Sequence, residues 1–132
     1  MGIWGPGVFE NDDALEFITE LDDDTDPRVL VDALERIKSL EETPDVRTCH
    51  RALVAAELVA ARIGKRSPDL PEEANNWLLD KPKPDPLVIA KAQGAVRTAL
   101  EESILRERWG ENEDDLADFT DELNNLIERL ET

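Results

Sequence analysis

The chain has 132 residues, a length that fits one domain with a continuous core and no need of disulfide or metal crosslinks. Its 32 acidic and 15 basic residues give a net charge of −17, which disfavours direct binding to nucleic acid and to anionic membranes. A single cysteine and the lack of an apolar leader or spanning segment predict a cytoplasmic protein.

An anchoring loop is predicted over residues 1–10, ahead of the first helix. Three glycines allow backbone conformations closed to other residues, and a proline between two of them stiffens the turn. Trp4 and Phe9 supply large apolar side chains, so we expect both rings to insert between helices. The alternative is an exposed aromatic finger that contacts a partner. The glycines are Gly2, Gly5 and Gly7.

Capping residues and apolar periodicity predict an all-α bundle of about five to six helices in a single domain, 1–132. Asn11 or Asp12 caps the first helix, and Asp26-Pro27 opens the second. Thr43-Pro44 opens the third, which is rich in alanine and ends at Gly64. Small side chains let helices approach closely, so this third helix is the best candidate for the centre of the bundle.

The second half begins with an irregular, proline-rich connection over residues 65–85, which contains one short helix with Trp77. A single long helix is predicted from Pro86 to Trp109, with a close backbone approach at Gly94. The last helix begins near Asn112 and repeats leucine or phenylalanine every three to four residues. This stripe indicates one face of a packed bundle, although it leaves open a monomer or a weak homodimer.

The excess negative charge lies entirely in the two terminal segments. Residues 1–26 contribute −9 and residues 111–132 contribute −8, while the middle of the chain is neutral. Such runs are usually solvated surfaces, but they also suit a basic protein partner. The candidate partner-binding residues are Asp22, Asp23, Asp24, Asp114, Asp115 and Asp118.

Catalytic chemistry has little support in the sequence. The chain has one histidine, His50, and no tyrosine, so nucleophilic triads and histidine-rich metal sites are excluded. Cys49 falls on an apolar helical stripe and is predicted to be a buried, inert thiol, with His50 at the boundary between core and surface. We therefore expect neither an enzyme nor a bound cofactor or metal.

The opening residues carry a family resemblance. The pattern MGxWGxGxFxNDDAL, which includes Asn11, Asp12 and Asp13, resembles the start of a bacterial family known as domain of unknown function 4259. The segments LVAAELVAA, KAQGAV and SILRERW extend the similarity over most of the chain. Pro6 departs from the small residue or threonine expected there. The resemblance implies a small helical bacterial protein and lends no activity or cofactor.

Three functional hypotheses follow from these observations. The first is a noncatalytic module whose acidic termini bind a basic protein, as an immunity protein or inhibitor would. The second is a small-ligand binder or enzyme that uses carboxylates in a cleft near Trp4, Trp77 or Trp109. The third is a homo-oligomer assembled through the last helix.

Overall fold

A computed structural model describes residues 5–22, 24–38 and 44–131. Gly2, Trp4 and Asp23 lie outside these ranges, and so does the predicted insertion of the Trp4 ring. The described residues form an all-α fold of seven helices, as predicted in class. The helices are α1 (Asp12–Thr19), α2 (Arg28–Arg36), α3 (Val46–Arg62), α4 (Glu72–Leu78), α5 (Pro86–Glu102), α6 (Ile104–Trp109) and α7 (Glu113–Leu130).

Side-chain caps fix where five of the helices begin. Asn11, Asp45, Asp85, Ser103 and Asn112 each accept a hydrogen bond from a backbone N–H in the first turn of their helix. Asn11, rather than Asp12, is therefore the cap of α1. The cap of α3 is Asp45, one residue beyond the predicted Thr43-Pro44 start, because its carboxylate reaches the Thr48 N–H at 2.8 Å.

The alanine-rich helix α3 occupies the centre of the bundle and packs against each of the other six helices. All nine residues from 52 to 60 are buried. Small side chains on both helices let α5 lie close against α3, where Ala92, Ala95 and Ala99 are fully covered. Gly64, at φ 87°, ends α3 in the left-handed conformation that favours glycine.

The predicted single helix from Pro86 to Trp109 is two helices, which brings the observed total to seven. Ser103 adopts an extended backbone and accepts a hydrogen bond from the Arg106 N–H at 3.1 Å, so it caps a new helix. Its hydroxyl also donates to the Ala99 carbonyl at the end of α5. Because the Ser103 side chain forms hydrogen bonds with the end of α5 and with the start of α6, it favours a break between the two helices at this residue.

The surroundings of Gly94 and of the apolar stripe on α7 test two predictions about packing. At Gly94 the close neighbour is the Lys38 side chain, whose ammonium group occupies the space that a Cβ would need, and no backbone atom of another described segment lies within 4 Å of that position. The predicted backbone approach was therefore wrong. On α7, Phe119, Leu123 and Leu126 are buried in the core of the chain itself. In the parts of the chain that are described, no helix is long and apolar enough to cross a membrane.

Candidate functional site

The loop ahead of α1 is anchored by its last residues. Val8 is buried and Phe9 is half-buried against the core, so Val8 is an anchor that the sequence prediction missed. Asn11 is 1% exposed; its side-chain oxygen accepts from the Ala14 N–H at 2.7 Å and its amide donates to the Val8 carbonyl at 3.2 Å. One asparagine thus joins the loop to the helix, which gives this part of the opening motif a structural role.

Gly5 and Gly7 lie against the Glu10 side chain. This close contact, and not an unusual backbone angle, is the reason that glycine suits these two positions. Neither of these glycines has a positive φ, so the predicted need for special conformations is wrong at these two positions. A Cβ at either glycine would lie 2.5 Å from a Glu10 carboxylate oxygen. The Gly7 N–H also donates to that carboxylate at 3.0 Å, which folds Glu10 back over its own loop.

An acidic cleft of about 510 Å³ separates this loop from α7. Glu10 lines its loop side, while Asp118, Asp121 and Glu122 line its helix side, together with Asn125. The two acidic terminal segments therefore meet here. Carboxylates that face one another across an open cleft repel each other, and a cationic partner would relieve that repulsion.

The environment of Glu122 in the acidic cleft raises the pKa of its carboxyl group. Glu122 is half-buried, and burial raises its pKa, with the charges of Glu57 and Asp69 acting in the same direction. The Val8 N–H, 3.5 Å from the carboxylate, acts in the opposite direction. The negative form of Glu122 is thus less favourable here than in water.

The arginine of α7 faces the core instead of its acidic neighbours. Arg129 donates two hydrogen bonds to the Glu57 carboxylate, at 2.7 and 2.9 Å, and a third to the Lys65 carbonyl at 3.1 Å. Glu57 is fully buried in the middle of α3 and requires this partner. The one base of the C-terminal acidic segment therefore serves an internal ion pair.

The acidic residues of α1 are arranged differently, because basic residues of α3 reach them. Arg47 donates to Glu16 at 2.8 Å and Arg51 donates to Glu20 at 2.8 Å, and each hydrogen bond lowers the pKa of its carboxyl group. These charges help hold α1 on α3.

A histidine–carboxylate pair joins the same two helices. His50 Nδ1 lies 2.8 Å from an Asp13 carboxylate oxygen, and His50 is buried rather than at the predicted boundary. Burial lowers its pKa, although the hydrogen bond to Asp13 opposes that shift. Beside it, Cys49 is buried as predicted, and burial raises the pKa of the thiol to about 11. Asp13 of the opening motif is therefore part of the contact between α1 and α3.

The structure does not bring the described candidate partner-binding residues into one cluster. Asp118 lines the acidic cleft, whereas Asp115 lies beside Trp109 in a shallow depression and Asp114 is exposed in the first turn of α7. Asp22 and Asp24 lie beyond the end of α1, in a turn that the Asp22 carboxylate closes. In the part of the chain that is described, α1 does not pack against α7.

Clefts lie beside Trp77 and Trp109, two of the three tryptophans named in the alternative hypothesis of a carboxylate site. The described lining of the cavity beside Trp77 is mainly apolar and basic, and it includes one acid, Asp85. The depression at Trp109 is open and carries both signs of charge. Within the described ranges, no group of three or more His, Cys, Asp or Glu side chains is arranged to hold a metal ion.

Sequence comparison assigns the chain to a family. The family model described as Domain of unknown function (DUF4259) matches residues 2–125, nearly the whole chain. The chain therefore belongs to this family, as its resemblance predicted. No curated protein and no solved structure matched it.

Proposed function

We propose that this member of the family is a noncatalytic interaction module whose acidic cleft binds a basic protein, in the manner of an immunity protein or inhibitor. The observation that carries the proposal is the meeting of Glu10 with Asp118, Asp121 and Glu122 around one cleft. A cationic side chain in that cleft would neutralise carboxylates that otherwise repel each other. We place this interaction in the bacterial cytoplasm, in keeping with the single cysteine.

The surroundings of the cleft support the same proposal. None of the seven acidic residues from Glu113 to Glu128 forms an ion pair with a described residue, and Arg129 is engaged by Glu57. Their charges are therefore available to steer a basic partner. One side of the cleft is formed by α7, whose apolar side is buried in the core.

The experiment is capture of partners by the immobilised chain, followed by crosslinking and mass spectrometry at low and high salt. The test variant is Asp118→Asn/Asp121→Asn, which removes two charges from the acidic cleft. The matched control is Glu72→Gln/Glu73→Gln, which removes two exposed charges from the first turn of α4.

We expect the wild type and the control to retain one basic protein at low salt, and the test variant to lose it. High salt should weaken the complex in all cases, because exposed charges are screened beyond about 8–10 Å. Equal capture by the test variant and the control would overturn the proposal, as would a salt-independent or acidic partner.

A further inference from the structure

A second cavity lies on another part of the molecule, between α2, the end of α3, α4 and the start of α5. Its volume is about 290 Å³, close to the lower end of small-molecule sites, which begin at about 300 Å³. The floor is apolar and includes Leu30, Val59 and Trp77. The Trp77 ring is held in place because its Nε1–H donates to the Asp22 carbonyl at 2.9 Å.

Basic residues surround this apolar floor, in a chain whose net charge is strongly negative. Among the described residues that line the cavity, four are basic and one, Asp85, is acidic; the basic ones are Arg28, Arg62, Lys81 and Lys83. The Asp85 carboxylate already accepts the Val88 N–H as the cap of α5. The local charge is therefore opposite to that of the molecule as a whole.

The four basic side chains differ in how far they are engaged. The Lys81 ammonium lies over the Trp77 ring, 4.9 Å from its centroid, and 3.2 Å from an Asp80 carboxylate oxygen. Among the described residues, the side chains of Arg28 and Lys83 have no hydrogen-bond or ion-pair partner. Both are exposed at the rim, where they can reach an anionic group.

One hydrogen bond and two prolines restrain the rim. Arg62 Nε donates to the Lys81 carbonyl at 2.5 Å, which ties the proline-rich connection to the end of α3. Pro82 and Pro84 on either side of Lys83 restrict the backbone of that connection. A site that is formed before binding loses less free energy to ordering when a ligand enters.

We propose that this cavity binds a small amphipathic organic acid, with its apolar body on the floor beside Trp77 and its carboxylate at the Arg28 and Lys83 rim. The small volume favours a compact molecule over a peptide. This site is separate from the acidic cleft, so the two proposals stand or fall independently.

Three probes with the same apolar body and different charge test the proposal: octanoate, octanol and octylammonium. Binding to the full chain is measured near neutral pH by calorimetry, and the indole N–H resonance of Trp77 shows whether the cavity is occupied. We expect octanoate to bind about 10-fold more tightly than octanol, and octylammonium to bind most weakly. A chain of this net charge would favour the cation if only its overall field mattered.

Charge variants locate the effect. Arg28→Gln/Lys83→Gln should bring the affinity for octanoate down to that for octanol, whereas Lys65→Gln/Arg66→Gln, an equal charge change at exposed residues outside the cavity, should preserve the 10-fold preference. Val31→Phe, which adds a ring to the cavity lining, should weaken octanoate and octanol alike while the chain stays folded by circular dichroism.

The proposal is overturned by equal binding of octanoate and octanol, by tightest binding of octylammonium, or by no detectable binding of octanoate. It is also overturned if the two charge variants lower octanoate affinity equally, because the effect would then come from the charge of the whole chain.

Discussion

Helices α1 and α7 are both acidic, yet their charges do different things. Asp13 and Glu16 of α1, and Glu20 directly after it, contact basic residues of α3. Their partners are His50, Arg47 and Arg51, respectively. The arginine of α7 turns inward to Glu57, and the outward acids of that helix have no ion pair among the described residues. A run of acidic residues therefore indicates a possible binding surface only when the positions of the neighbouring basic residues are also known.

The largest effect is expected from breaking the inward contact of α7. Arg129→Leu leaves Glu57 buried without its partner, which should lower the free energy of unfolding by about 3–5 kcal/mol. Urea denaturation measures the loss. The double variant Glu57→Leu/Arg129→Leu removes both charges and should recover most of the stability. A double variant as unstable as the single one would show that packing, rather than the unpaired charge, causes the loss.

The join between the loop and α1 should give the next largest effect. Asn11→Ala removes the cap of α1 and the bond to the Val8 carbonyl, at an expected cost of about 2 kcal/mol. Asp85→Ala removes an exposed cap from α5 and should cost about 1 kcal/mol in the same urea measurement. Equal losses would contradict the special role assigned to Asn11.

The burial of His50 where α3 meets α1 should also make stability depend on pH. Because burial lowers the pKa of His50 in the folded chain, the unfolded chain takes up a proton first as the pH falls. Stability is therefore complete above the ordinary histidine pKa of about 6.5 and is lost as the pH falls through the lowered folded value. Thermal unfolding at several pH values measures this, and His50→Gln should remove that part of the pH dependence. A His50 pKa above 6.5 by nuclear magnetic resonance would reverse the sign.

The smallest expected effects are changes in melting temperature, and these should have opposite signs at α1 and at α7. Arg47→Gln/Arg51→Gln removes two attractive ion pairs between α3 and the carboxylates in and directly after α1, and it should lower the melting temperature slightly. Asp118→Asn/Asp121→Asn removes repulsion between carboxylates at the acidic cleft, and it should raise the melting temperature slightly. Added salt should reduce both differences. Shifts of the same sign would mean that the two helices are electrostatically alike.

The elements of the fold were largely predictable, because caps and apolar periodicity are local signals. Asn112, Asp85 and Gly64 mark helix ends in the sequence as they do in the structure. Ser103 was missed, because apolar residues continue on both sides of it and only its side-chain hydrogen bonds reveal the break.

The site was less predictable, because its residues come together only in three dimensions. Glu57 gave a readable signal, a charge in the middle of an alanine-rich apolar helix, and Arg129 gave another as the lone base of an acidic segment. Their pairing, 72 residues apart, could not be read from either. The meeting of Glu10 with Glu122 likewise depends on how the loop folds back onto α7.

The most direct test of the central claim is titration of the chain with an oligolysine peptide, followed residue by residue through backbone amide chemical shifts. At low salt the largest shifts should fall on Glu10, Asp118, Asp121 and Glu122. Glu16 and Glu20, which already bind Arg47 and Arg51, should shift little. Shifts of equal size on both sets, or larger ones at Glu16 and Glu20, would contradict the central claim.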